Sequence, residues 1–287
     1  MPIAIIAFDF DPLLRLADGL TIRWQTIALA IVVALCLATA GVLARRAGLR
    51  PDDLLYIVIG AVPGAVVGGR VGYVLLVPDA FAAGPMTLFD PAIGGLELGL
   101  AVLGGLATGW VVAVLLGAPP GGWAHTVAIP LLVAIAAGKL TMALGGSGQG
   151  RPFDGAWATA YVGPGPWVGL APDLPSHPAQ VYEGVGMVAV AFLLLVTTSL
   201  GAFRSRDGSR LLVGLAGWAI VRAIVSTTWR DPAVAGSLPA GGVVALAIAV
   251  ACIVGALVVS VWWPRRARQR EAASQPAWPD PETRPPF

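Results

Sequence analysis

The stretch SHPAQVYEGVGMVAVAFLLLVTTSLGAF, residues 176–203, ties a cluster of polar side chains to a long apolar run. From Ala179 to Phe203 the run exceeds the ~20 residues that carry a helix across ~30 Å of hydrocarbon, so the segment reads as a membrane-spanning helix. Pro178 stiffens the entry and holds its predecessor extended. His177 is therefore expected outside the span, with Gln180, Tyr182 and Glu183 in its first turns. Ionisable groups placed in hydrocarbon are costly and usually functional. A plainer reading also accounts for them, with Pro as a helix-start residue and Gln and Glu as first-turn groups favoured by the helix dipole. The octet alone leaves both readings open.

Six further apolar segments extend the pattern, near 22–44, 54–77, 93–116, 124–146, 211–229 and 240–263. With 57% hydrophobic and 12% charged residues and a mean hydropathy of +0.80, the chain of 287 residues is no ordinary soluble domain. The expected fold is all-α, a polytopic membrane protein of about seven transmembrane helices. The sixth segment is the weakest and reads as tilted or partly buried. Arg50-Pro51-Asp52-Asp53, Ala118-Pro119-Pro120-Gly121-Gly122 and Arg206-Asp207-Gly208-Ser209 punctuate the spans as turns or helix starts.

Arginine then orients the bundle. Arg45, Arg46 and Arg50 follow the first span, Arg204, Arg206 and Arg210 the fifth, and Arg265, Arg266, Arg268 and Arg270 the seventh. These alternate connections are expected in the cytoplasm. The N-terminus, the connection 78–92, the long connection 147–178 and the turn around Arg230 and Asp231 then lie outside. The domain reading is one transmembrane unit over 1–268, with 147–178 as an outer-face cap, and a Pro-rich cytoplasmic tail at 269–287 expected to be disordered. The first residues lack a basic n-region, and Asp9 and Asp11 break their apolar run, so no cleavable signal peptide is expected.

The basic residues are 17 Arg and one Lys, spread over short connections, so no nucleic-acid partner is expected. Cys36 and Cys252 sit in apolar runs without ligand-like neighbours, which reads as packing, and neither a metal nor a cofactor is expected. The connection 147–178 holds Trp157, Tyr161 and Trp167 among many glycines. It reads as an interfacial loop or a substrate cap, and its position between two polar-ended helices favours the cap.

Three cations fall within or at the rim of apolar spans: Arg70, Lys139 and Arg222. The available carboxylates are Glu97 and Glu183. Structural ion pairs with snorkelling side chains are one solution. The other is an anion site, in which three cations against two carboxylates leave an excess positive charge suited to a phosphate headgroup.

The chain resembles the prolipoprotein diacylglyceryl transferases almost end to end. The resemblance rests on Phe10-Asp11-Pro12, Ile22-Arg23-Trp24, Gly68-Gly69-Arg70-Val71-Gly72-Tyr73-Val74-Leu75 and His177-Pro178-Ala179-Gln180-Val181-Tyr182-Glu183, with Gly150-Arg151-Pro152 similar to the segment after the family's central motif. It implies a multi-pass enzyme of the bacterial inner membrane that moves diacylglycerol from phosphatidylglycerol to the lipobox cysteine of a prolipoprotein signal peptide, releasing glycerol phosphate. Arg70, Tyr73, Lys139, Arg151, Gln180, Tyr182 and Arg222 become candidate substrate-binding residues, and His177 and Glu183 candidate catalytic ones.

The departures are as specific as the matches. Where the family's central motif reads G-R-x-G-N-F-x-N-x-E-x-x-G, residues 138–150 read GKLTMALGGSGQG, so that Lys139 replaces the arginine and Met142, Gly145 and Ser147 replace two asparagines and a glutamate. The family's H-G-G reads Leu103-Gly104-Gly105, its W-Y-G reads Trp24-Gln25-Thr26, and the glutamate four residues after Arg222 is Ser226. Thioether formation needs a thiolate, and a thiol of pKa near ~8.5 needs a base or a cationic field. With the H-G-G histidine absent, the alternative to an active transferase is a catalytically silent paralogue that binds an anionic phospholipid or a lipoprotein signal peptide.

Overall fold

Seven helices carry the seven apolar segments. The computed structural model describes residues 6–81, 84, 90 and 95–262. Arg265 to Arg270, the tail 269–287 and most of the connection 78–92 lie outside the described residues. The helices are α1 (Trp24–Arg46), α2 (Pro51–Leu76), α3 (Leu98–Leu115), α4 (Pro120–Thr141), α5 (Ala179–Ser199), α6 (Ser209–Ser226) and α7 (Ala240–Leu257). Each is long and apolar enough to cross a membrane, α4 and α7 with the short helical turns that prolong them to Leu144 and Ser260. The chain is an all-α polytopic membrane protein.

Local chemistry sets the helix starts. Pro51 opens α2 at a position where a missing N–H costs nothing, with Asp52 and Asp53 in its first turn. Before α6, Gly208 adopts φ 93°, and the Asp207 carboxylate accepts from the Ser209 amide at 2.9 Å. The third helix starts at Leu98, later than its apolar run suggested, because Glu97 caps it by accepting from the amides of Gly99 at 2.8 Å and Leu100 at 2.7 Å.

The weakest apolar run is the innermost helix. In α6, 61% of the spanning window is buried, against 11–33% in the other six helices. Protein rather than lipid surrounds it, so it carries less hydropathy. Trp218 and Leu215 of α6 join Met187 and Leu194 of α5, Leu132 of α4 and Ile248 of α7 in the main core.

The α2–α3 pair is joined differently, backbone against backbone. A Cβ added at Gly64 would lie 2.3 Å from the Gly104 carbonyl oxygen, and one at Gly104 would lie 2.1 Å from the Gly64 carbonyl oxygen. Small residues drive such contacts where lipid supplies no hydrophobic force between helices.

Short strands complete one end of the bundle. β1 (Ile6–Phe8) runs parallel to β4 (Thr159–Tyr161) with Ile6 opposite Thr159, while β2 (Leu13–Arg15) and β3 (Thr21–Arg23) form a hairpin. Phe8 stacks on Tyr161 at 4.8 Å, and Phe10 meets Trp167 edge-on at 5.1 Å. The N-terminal segment and the 147–178 connection thus fold into one cap. β5 (Ala233–Ala235) and β6 (Leu238–Pro239) form the α6–α7 turn at the same end, where Arg230 donates to the Gly150 carbonyl at 2.7 Å and Arg151 to the Thr227 carbonyl. At the opposite end Arg206 reaches the Ala47 carbonyl at 3.3 Å.

Candidate active site

Beneath the cap, four helices deliver one charge each into a buried chain. Lys139 Nζ lies 2.9 Å from Glu183 Oε2, Arg222 Nη1 lies 3.2 Å from Glu183 Oε1, and Arg222 Nη2 lies 3.1 Å from Glu97 Oε1. Lys139 occupies the last turn of α4 and Glu97 the N-cap of α3, the helix ends whose dipoles favour those charges. Trp218 Nε1 donates to Glu183 Oε1 at 3.3 Å, and the Arg222 guanidinium lies 4.7 Å from the centroid of the Trp229 ring. Glu183 and Glu97 are 1% and 4% exposed, a depth at which carboxylates persist only when paired.

The chain borders a cavity of about 230 Å³ lined by Lys139, Gln149, Gln180, Glu183, Arg222 and Arg230, among others. Gln180 donates through Nε2 to the Tyr161 hydroxyl at 3.1 Å, and Gln149 through Nε2 to the Thr159 carbonyl at 3.0 Å. Three buried polar atoms of these side chains have no partner among the described residues: Arg222 Nε, Gln149 Oε1 and Gln180 Oε1.

The remaining candidates fall into two groups. His177, Tyr182 and Arg151 belong to the cap's lower rim. Trp157 Nε1 donates to the Tyr182 oxygen at 2.7 Å, His177 Nδ1 lies 3.3 Å from that oxygen, and the imidazole stacks on Phe153 at 4.0 Å. Burial pushes the His177 pKa below its usual value, and the Arg151 charge adds to the push. Arg70 and Tyr73 lie apart on α2. Arg70 donates to the Asp90 carbonyl and sits 5.7 Å from the Phe81 ring, which Tyr73 meets edge-on at 5.9 Å.

The expected convergence of three cations is therefore corrected. Lys139 and Arg222 line the cavity, whereas Arg70, on the helix that packs against α3, meets the connection that follows α2 and is not part of that lining. Within the buried chain two cations face two carboxylates, while the cavity wall adds Arg230 and Asp231. Glu97, whose depth the sequence left open, is the fourth charge, and its signal was a carboxylate two residues before a helix amide it caps. Gln149 was not singled out, although its neighbours Gly150-Arg151 were, and Arg230 was named only as part of an outer turn and not as a site residue.

Three departures from the family pattern meet in space. A Cβ at Gly145 would lie 2.0 Å from Gln25 Oε1, and the Ser147 hydroxyl lies 3.3 Å from the same atom. Gln25 fills the room that an asparagine at 145 would need. Leu103 packs against the main core, and Gly104 serves the α2–α3 contact.

Comparison with known proteins identifies the family of the chain. The family model for prolipoprotein diacylglyceryl transferase matches residues 12–259. The phosphatidylglycerol–prolipoprotein diacylglyceryl transferase of Methylocella silvestris is 32% identical over 81% of this chain and 85% of its own length. That of Azospirillum brasilense is 31% identical over 93% of this chain and 98% of its own, and that of Trichormus variabilis 29% identical over 86% and 88%. With a family match over most of its length, the chain belongs to the prolipoprotein diacylglyceryl transferase family.

Proposed function

We propose that this chain transfers the diacylglyceryl group of phosphatidylglycerol to the lipobox cysteine of a prolipoprotein. The proposed setting is a bacterial inner membrane, with the N-terminus and cap outside and the C-terminus in the cytoplasm, as the alternating arginines favour. In the reaction the cysteine sulfur forms a bond to the terminal glyceryl carbon, the bond from that carbon to the phosphate oxygen breaks, and glycerol phosphate leaves with that bond's electron pair. The thiol proton passes to a base.

The single observation that carries this reading is the cavity beneath the cap, where Lys139 and Arg222 are held by buried carboxylates. Fixed cations in low dielectric stabilise charge developing on a leaving phosphate without reorganising. Arg222 has an unpartnered Nε to offer. Lys139 acts as a point charge where an arginine would offer a fork.

Glu183 is engaged by Lys139, Arg222 and Trp218, which suits it to positioning the cations more than to taking a proton. His177 is the base in this reading. Its lowered pKa keeps it neutral near pH 7, and the Tyr182 hydroxyl beside Nδ1 orients the ring.

Complementation of a transferase-depleted bacterial strain tests the assignment. Restored lipoprotein maturation supports it. Failure to restore maturation by a membrane-inserted protein that still binds phosphatidylglycerol would favour the silent, lipid-binding paralogue.

A further inference from the structure

We propose that Gln149 and Gln180 read the vicinal diol of the donor headgroup, which makes them specificity-determining residues. The inference rests on the reading of the cavity as the donor site. Gln180 is 2% exposed, and both carboxamides keep a buried, unpartnered Oε1 while their nitrogens are engaged. For Gln149 chemistry fixes the orientation: its partner, the Thr159 carbonyl, can only accept, so the nitrogen must face it and the oxygen is the free end. Arg222, whose buried Nε has no partner among the described residues, lines the same cavity.

Gln180 bonds a hydroxyl that can pair with either end of its carboxamide, and a ligand hydroxyl can pair with whichever end is free, so the Gln149 oxygen, the Gln180 carboxamide and Arg222 Nε together define a ligand. A buried polar atom left without a partner is costly, so the occupant that fits best brings two X–H donors and one anionic acceptor. A phosphate ester of glycerol supplies both, its hydroxyls to the two carboxamides and a phosphate oxygen to Arg222. A methyl ester of phosphate brings the acceptor without the donors. An ammonium headgroup brings donors, but it must approach Lys139, Arg222 and Arg230 while both Glu183 oxygens are already engaged, which leaves Asp231 as the other carboxylate of the wall. The shared chemistry is a phosphate bearing a vicinal diol, carried by the intact lipid before transfer and by free glycerol phosphate after it.

Full-length protein in detergent is titrated calorimetrically with two ligand pairs. One pair is short-chain phosphatidylglycerol and short-chain phosphatidylmethanol, and the other is glycerol 1-phosphate and methyl phosphate. Within a pair the charge is the same and the diol is the difference. A site built to pair hydroxyls discriminates strongly against analogues that lack them, so the wild type should prefer the diol member by roughly tenfold or more in at least one pair. The pair showing the preference identifies the source as lipid or released product.

Gln149→Met and Gln180→Met should each shrink that preference while leaving affinity for the methyl member in place, which also shows that the variants are folded. Equal affinity within both pairs for the wild type, or a preference that survives both substitutions, overturns the inference. Failure to bind either lipid would remove the proposed donor site together with this inference, whereas equal binding of both lipids with no preference between the soluble esters removes the inference alone.

Discussion

Arg222 holds two carboxylates at once, and its loss shows what the buried chain contributes. Arg222→Ala removes the cation paired with Glu97 and leaves Glu183 with Lys139, and breaking such a buried pair should destabilise the protein by about 3–5 kcal/mol, whereas Arg204→Ala on an exposed turn should change stability by less than about 0.5 kcal/mol. Chemical denaturation in detergent compares the two. His177 carries a pH prediction whose sign follows from its lowered pKa. Its neutral form is the competent base, so turnover should be level through pH 7 and fall as pH drops past a value below ~6.5. Stability shares that sign: a depressed imidazole contributes above its unfolded pKa and loses the contribution as pH falls through the folded one. His177→Gln should abolish the acidic limb of the rate profile. A limb that persists in the variant assigns the base elsewhere. Residue identity was legible where a motif carried it, as for His177, Gln180 and Glu183. Glu97 was not placed in depth, because a carboxylate at the start of an apolar run can be lifted out of the membrane or buried by a shift of one helical turn.

Among the elements, α2 and α3 depend on glycine more than on side-chain interlock. Gly64→Leu and Gly104→Val each force backbone apart at contacts near 2 Å, so each should cost at least the ~1–3 kcal/mol typical of overpacking. Gly95→Ala, with no described residue within 4 Å of an added Cβ, should be close to neutral, and thermal unfolding separates the three. Leu103→His is expected to lower stability without raising turnover, because Leu103 is half-buried and packs against the apolar core, where a polar imidazole is costly. A rate increase in that variant would show that the third helix sits in another register during the reaction. The seven spans were legible because twenty apolar residues in a row have few other solutions. The β1–β4 pairing of the cap was not, since three-residue strands joined across more than a hundred residues leave no periodic trace.

At the scale of the whole molecule, the strand that joins the N-terminal segment to the 147–178 cap puts both at one end of the bundle, and the 204–208 turn lies with Ala47 at the other. In the proposed orientation, which rests on arginine bias, the first end lies outside, so a cysteine placed at Ser205 should resist membrane-impermeant labelling in sealed cells and react once they are opened. Labelling in sealed cells reverses the orientation. The sorting of connections into two sets was legible from arginine counts, while the meeting of Lys139, Arg222, Glu183 and Glu97 from four helices required the fold, because no sequence spacing relates positions 97 and 222. The most direct measurement of the central claim is turnover by the purified protein. Wild type and Lys139→Gln, each verified as folded, are offered phosphatidylglycerol and a lipobox peptide, and the peptide is weighed by mass spectrometry. The account predicts a thioether-linked diacylglyceryl peptide from the wild type and a yield at least about 100-fold lower from Lys139→Gln, since removing one charge-stabilising donor typically costs two to three orders of magnitude. No modified peptide from the wild type, or equal yields from the two proteins, would contradict it.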